Sequence, residues 1–166
     1  MDNIILIGMP GAGKSTIGVL LAKTLGYRFL DSDIVIQEME NALLQDIIDE
    51  KGLGYFDEVE EKAVKSIAVR RTVIATGGSV IYSECAMTHL KMLGHIVYLN
   101  VPYEEIERRL NNIETRGIAI GPNESLRDLY NKRASLYEKY AETEIKCLEC
   151  TMETVVLKIT NLINHG

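Results

Sequence analysis

The stretch from Asn3 to Thr16, NIILIGMPGAGKST, constrains this chain more than any other. Gly8, Gly13, Lys14 and Ser15 stand at the spacing GxxxxGK[ST] of a phosphate-binding loop. The flanks fit the motif. Ile4 to Ile7 is an apolar β-branched run that predicts a buried strand, and Ile17, Leu20, Leu21 and Leu25 follow at helical spacing up to Gly26. Glycines let successive backbone N–H groups turn towards an anion, and the helix that follows aims its positive end at the same point. Gly11, Ala12, Gly13, Lys14, Ser15 and Thr16 are therefore the candidate phosphate ligands. In such a loop the lysine reaches the outer phosphates and the serine hydroxyl enters the coordination shell of Mg²⁺.

The rest of the chain alternates strand and helix patterns. Arg28 to Leu30 predicts a short strand ending at Asp31-Ser32-Asp33. Carboxylates at the carboxyl end of a strand face the crevice where open α/β sheets bind ligands, and two residues apart on extended backbone they point the same way. Asp33 also suits a helix N-cap before Ile34, Ile36 and Met39. Thr72–Thr76 and His95–Val101 are further buried-strand patterns. Neither ends in an aspartate, so the metal-binding carboxylate falls to the Asp31–Asp33 pair.

Helices are predicted over Leu43–Lys51, Gly54–Arg71, Glu84–Leu93, Tyr103–Leu110, Ser125 to about Ala141, and Thr154–Ile163, with a last strand at Glu144–Leu148. In the second of these, Phe56, Val59, Ala63, Val64 and Ile67 make the apolar stripe, and Asp57, Glu58, Glu60 and Glu61 read as a solvated acidic opening. The segment 111–124, NNIETRGIAIGPNE, carries two glycines and a proline and predicts a mobile lid whose Arg116 can fold over phosphates. Asn131-Lys132-Arg133-Ala134 does not complete a guanine-reading N-K-x-D, because Ala134 stands where an aspartate is required.

With 166 residues and 46% hydrophobic content, a single domain spanning 1–166 is expected. A formal net charge of -6 argues against nucleic acid or an anionic membrane as partner, so anion binding has to be local. No run approaches a membrane span, the N-terminus lacks the charge of a signal peptide, and three cysteines suit a reducing compartment. A cytoplasmic monomer acting on a small molecule is the expectation. Cys147 and Cys150 have C-x-x-C spacing, but without a second pair or a nearby His ligand the absence of a redox or zinc role is the simpler reading.

Taken together, GMPGAGKST, LDSD, ATGGS, the Arg116 loop and KRASLYEKYA resemble the shikimate kinase family over the whole length. The resemblance implies an α/β three-layer P-loop kinase fold, with a five-stranded parallel sheet of order 2-3-1-4-5, helices on both faces and a mobile lid. It implies transfer of the γ-phosphoryl group of ATP, with Mg²⁺, to a hydroxyl of shikimate, giving shikimate 3-phosphate. By the same resemblance Lys14, Asp33 and Arg116 are catalytic, Ser15 and Asp31 hold the metal, and Arg109 lies near the adenine. Asp33, Gly77, Gly78, Ser79 and Arg133 contact the substrate, Arg133 through its carboxylate.

Two positions depart from the family pattern: Asp57 occupies the place of an arginine in F-R-x-x-E, and Ser79 that of a third glycine. An arginine that grips a carboxylate is worth about 2–5 kcal/mol when lost. The departure opens an alternative acceptor, another hydroxylated acid such as an amino acid or amino-substituted ring whose ammonium meets Asp57. A nucleotide-binding module without transfer activity is the alternative of a different class.

Overall fold

The computed structural model describes residues 3–111 and 118–164. Arg116, the predicted lid arginine, lies outside the described residues.

Five strands, β1 (Asn3–Ile7), β2 (Arg28–Asp31), β3 (Thr72–Ala75), β4 (His95–Asn100) and β5 (Thr143–Lys146), form one parallel sheet of order β2-β3-β1-β4-β5. β1 and β3 are buried at every position, which is why they read as continuous apolar runs rather than alternating ones. The helices α1 (Lys14–Leu25), α2 (Ser32–Glu40), α3 (Leu44–Ser66), α4 (Glu84–Leu93), α5 (Tyr103–Asn111), α6 (Leu126–Tyr140) and α7 (Met152–Asn164) cover both faces. On one side α1 packs on α7, and on the other α3 packs on α4. β1 lies at the centre, and its carboxyl end delivers the phosphate loop to the crevice beside β3 and β4. Among the described residues no helix is long and apolar enough to cross a membrane.

Two local readings are corrected. The helix expected to run to Arg71 ends at Ser66. The buried Asn3 side chain then holds the connection from α3 to β3: its Nδ2 donates to Val69 O at 2.8 Å and Leu93 O at 2.9 Å, and its Oδ1 accepts from Thr72 N at 3.0 Å. These bonds satisfy backbone groups of a buried non-helical connection. The break expected between two helices at Gly52 is present: that glycine leaves helical geometry, with φ 83° and ψ 170°, between helical stretches on either side. The N-cap of α2 is Asp31, whose carboxylate accepts from Asp33 N at 3.0 Å, and Asp33 belongs to the first helical turn. The alternation argument for aiming the two aspartates together therefore does not apply.

Candidate active site

A cavity of about 730 Å³ opens at the carboxyl ends of the strands. One wall is the phosphate loop. Gly13, the N-cap of α1, sits at φ 91°, a left-handed conformation open to glycine, and no side chain caps the helix. The first-turn N–H groups of α1 are thus left for a ligand. Lys14 is buried and donates from Nζ to Gly8 O and Met9 O, both at 2.8 Å. An ammonium has three donors, so one remains beyond the loop carbonyls. Burial pulls the Lys14 pKa down to about 8, against Asp33 and Asp31, which favour the charged form. Gly11, Gly13, Lys14, Ser15 and Thr16 belong to this wall or its edge, and Ala12, buried, closes the loop by donating from its N–H to Met9 O at 3.0 Å.

Beside the loop, Ser15 Oγ donates to Asp31 Oδ2 at 2.7 Å. A hydroxyl and a carboxylate in contact, next to a phosphate cradle, are hard oxygen donors of the type Mg²⁺ takes, since that ion relies on one or two protein oxygens plus phosphates and water. The donor set fits Mg²⁺. The absence of a cluster of three acidic, His or Cys residues among the described residues is no obstacle to such a site.

The opposite wall holds Asp33, Phe56, Glu60, Gly77, Gly78, Ser79 and Arg133. Burial, with Asp31 nearby, pushes Asp33 up to about 6, while Lys14 acts the other way. Gly77 and Gly78 let side chains of the site approach the backbone closely. A Cβ on Gly77 would come within 2.6 Å of Glu60 Oε2 and 2.9 Å of Asp33 Oδ1, and one on Gly78 within 2.8 Å of an Arg133 terminal nitrogen. Arg133 is 1% exposed. It donates from its terminal nitrogen to Ala119 O at 2.9 Å and from Nε to Tyr82 Oη at 3.3 Å, and among the described residues it forms no ion pair. A buried guanidinium without a carboxylate partner suits an anionic ligand. Tyr137 fixes the glycine pair by donating to Gly78 O at 2.6 Å.

At the far end of the loop, Arg109 donates to Gly11 O at 2.9 Å and to Glu105 at 2.8 Å. Arg108 and Met152 line the same end, and Ile118 and Ala119, the described part of the segment 111–124 nearest the site, line the cavity as well.

Of the acidic opening of α3, Asp57 is exposed, as a solvated face predicts, and lies at the rim, lining two smaller depressions rather than the main cavity. Glu60, read as solvated, is 3% exposed and points inward. Ser79 Oγ donates to Glu60 Oε1 at 2.8 Å, and Oε2 has no partner among the described residues. Burial pushes Glu60 up to about 7, with Asp33 and Asp57 adding and Ser79 and Arg133 opposing. The signal was present in the sequence. Glu60 follows Phe56 by four residues and precedes Ala63 by three, so it shares the apolar face of its helix.

Cys147 is buried, and burial pushes its thiol up to about 11. Cys150 Sγ contacts Lys158 Nζ at 3.1 Å.

A parallel sheet of this order with a phosphate loop after its central strand, facing a buried Asp–Arg pocket, defines a P-loop small-molecule kinase. Comparison with known proteins narrows the class. A profile of the family described as shikimate kinase matches residues 10–164. A shikimate kinase from a Sulfurihydrogenibium species is 34% identical over 166 residues, covering 99% of each chain, and one from Clostridium botulinum is 38% identical over 143 residues, 84% of each. The solved shikimate kinase from Acinetobacter baumannii in complex with shikimate superposes with a TM-score of 0.86 at 32% identity, covering 99% of this chain and 94% of that one. The chain belongs to the shikimate kinase family.

Proposed function

We propose that the protein is an ATP-dependent kinase that transfers the γ-phosphoryl group to a hydroxyl of shikimate. The observation that carries this reading is the cavity itself. It sets an uncapped phosphate loop and Lys14 on one wall against Asp33 and an ion-pair-free Arg133 on the other. Phosphoryl transfer asks little covalent chemistry of a protein and much positioning and charge stabilisation.

The loop amides and Lys14 bind the phosphates, and Arg109 with Met152 bounds the space beyond them where the nucleoside lies. Arg133 takes the acceptor carboxylate, and Gly77 and Gly78 lie beside its ring. Asp33 orients the attacking hydroxyl and receives its proton as the new O–P bond forms and the bond to the ADP oxygen breaks. An Asp33 that titrates near 6 is ionised at neutral pH yet basic enough to hold that proton. Ser15 and Asp31 would hold Mg²⁺, which when bound would supply charge neutralisation at the phosphates. Arg116, which lies outside the described residues, is assigned to the same transition-state charge on the family resemblance alone.

The test is ADP release from ATP and Mg²⁺ in the presence of shikimate, with the product identified by mass spectrometry. Stoichiometric shikimate phosphate supports the assignment. ATP bound without phosphorylation of any hydroxylated acid in a broad panel overturns it.

A further inference from the structure

The acceptor wall is built from two helices that meet it at opposite ends. Asp33 stands in the first turn of α2 and Arg133 in the middle of α6, and they close on the neighbouring glycines Gly77 and Gly78. An acid with its hydroxyl at Asp33 and its carboxylate at Arg133 binds in register only while the separation of these two side chains is held. The glycine pair lies between them. Before it, Thr76 is tied to Leu6 O of β1 through its N–H at 3.2 Å and its hydroxyl at 3.0 Å, and there β3 has already ended.

Gly77 and Gly78 have no side chains with which to anchor themselves. Two buried hydroxyls from the flanking helices hold them instead. Gly77 N–H donates to Ser32 Oγ at 3.2 Å, and Tyr137 Oη donates to Gly78 O at 2.6 Å. Ser32 and Tyr137 are both 0% exposed, and neither lines the cavity. Ser32 stands between Asp31 and Asp33 in the chain, and Tyr137 follows Arg133 by one helical turn, on the same face of α6. Neither hydroxyl is needed for local structure. Asp31 already caps α2, so the Ser32 oxygen is spent on a residue 45 positions away. The Tyr137 ring stacks on Tyr98 of β4 with centroids 5.2 Å apart, a contact that phenylalanine would keep. Burial pushes the Tyr137 phenol up, with Arg133 opposing, which keeps it a donor.

On the reading that this cavity is the acceptor site, we propose that Ser32 and Tyr137 are positioning residues for phosphoryl transfer. Through the backbone of Gly77 and Gly78 they fix the span from the attacking hydroxyl at Asp33 to the carboxylate at Arg133. Ser32 sets the hydroxyl end and Tyr137 the carboxylate end.

The experiment uses Ser32→Ala, Tyr137→Phe and the double variant, in each of which oxygen is removed and packing kept. Initial rates are measured with shikimate and ATP varied separately. A misplacement of about 1 Å costs about a hundredfold in rate. Each single variant should lower kcat for shikimate by roughly tenfold to a hundredfold, with KM for ATP within about twofold of native. Because both hydroxyls act on one glycine pair, their losses should not multiply. The double variant should fall no more than about threefold below the more impaired single. Native ATP affinity reports that a variant is folded. Unchanged kcat in both single variants overturns the proposal, as do losses that multiply in the double variant or a KM for ATP that rises in step with that for shikimate. Absence of shikimate phosphorylation by the native protein overturns the kinase assignment itself, a distinct outcome.

Discussion

Glu60→Gln tests the energetic description of the site through stability alone. The carboxyl is buried and raised from 4.5 to about 7. Between those two values the folded protein binds a proton that the unfolded chain releases, so stability falls as pH rises through this window and is level above it. At about 1.4 kcal/mol per pKa unit, ionised Glu60 costs the folded state about 3 kcal/mol above pH 7 relative to acid. Glutamine carries no such dependence. Its buried amide adds a constant cost of about 1 kcal/mol for imperfect pairing, which drops out when two pH values are compared.

The native-minus-variant difference in unfolding free energy should therefore change by about 3 kcal/mol between about pH 4.5 and pH 8.5. The variant should be slightly the less stable in acid and about 2 kcal/mol the more stable in base. For a chain of this size, that alkaline gain corresponds to roughly 4–8 °C in Tm. Urea unfolding across the pH range measures the difference directly, and the titration of Lys14 near 8 is common to both proteins. A difference that does not vary with pH would refute the claim that Glu60 is a desolvated, unpaired acid in the folded protein.

Asp33→Asn should lower phosphoryl transfer by about 10²–10⁴ while leaving ATP affinity within a few fold. It should also remove the fall in kcat/KM below about pH 6 that protonation of Asp33 produces in the native protein; an unaltered acid limb would count against Asp33 as the base. Arg133→Met should weaken acceptor binding by roughly 30-fold to several thousand-fold, seen by calorimetry with shikimate, and nucleotide binding should be retained. Equal loss of both would mean that the variant had disturbed the wall that Arg133 ties to Ala119 and Tyr82. Lys14→Ala should abolish transfer in the ADP-release assay, and turnover within tenfold of native would remove Lys14 from the phosphates. Gly77→Ala should raise the acceptor KM well before the nucleotide KM, because the added carbon strikes Glu60 and Asp33 and not the loop; unchanged KM for both would show that the two carboxylates give way freely.

The chain by itself determined the phosphate loop, the order of strand and helix, and the acidic pair Asp31 and Asp33 beside that loop, while the choice of Asp31 to accompany Ser15 came through resemblance. The first three are written in local patterns: glycine spacing, apolar period and the acid at a strand end. Sheet order and the place of the acceptor wall came through resemblance rather than through any physics of single segments. What tertiary structure decided was which side chains lose water. Asn3 holds the connection from α3 to β3 by reaching a carbonyl 66 residues away, a bond no window of sequence contains. Asp57 and Glu60 stand on the same helix with the same chemistry, yet one faces solvent at the rim and the other faces Gly77 in the cavity. Composition cannot separate them, because a carboxylate's cost and its use depend on what packs around it. That is set only when β3, α3 and α6 close on one another.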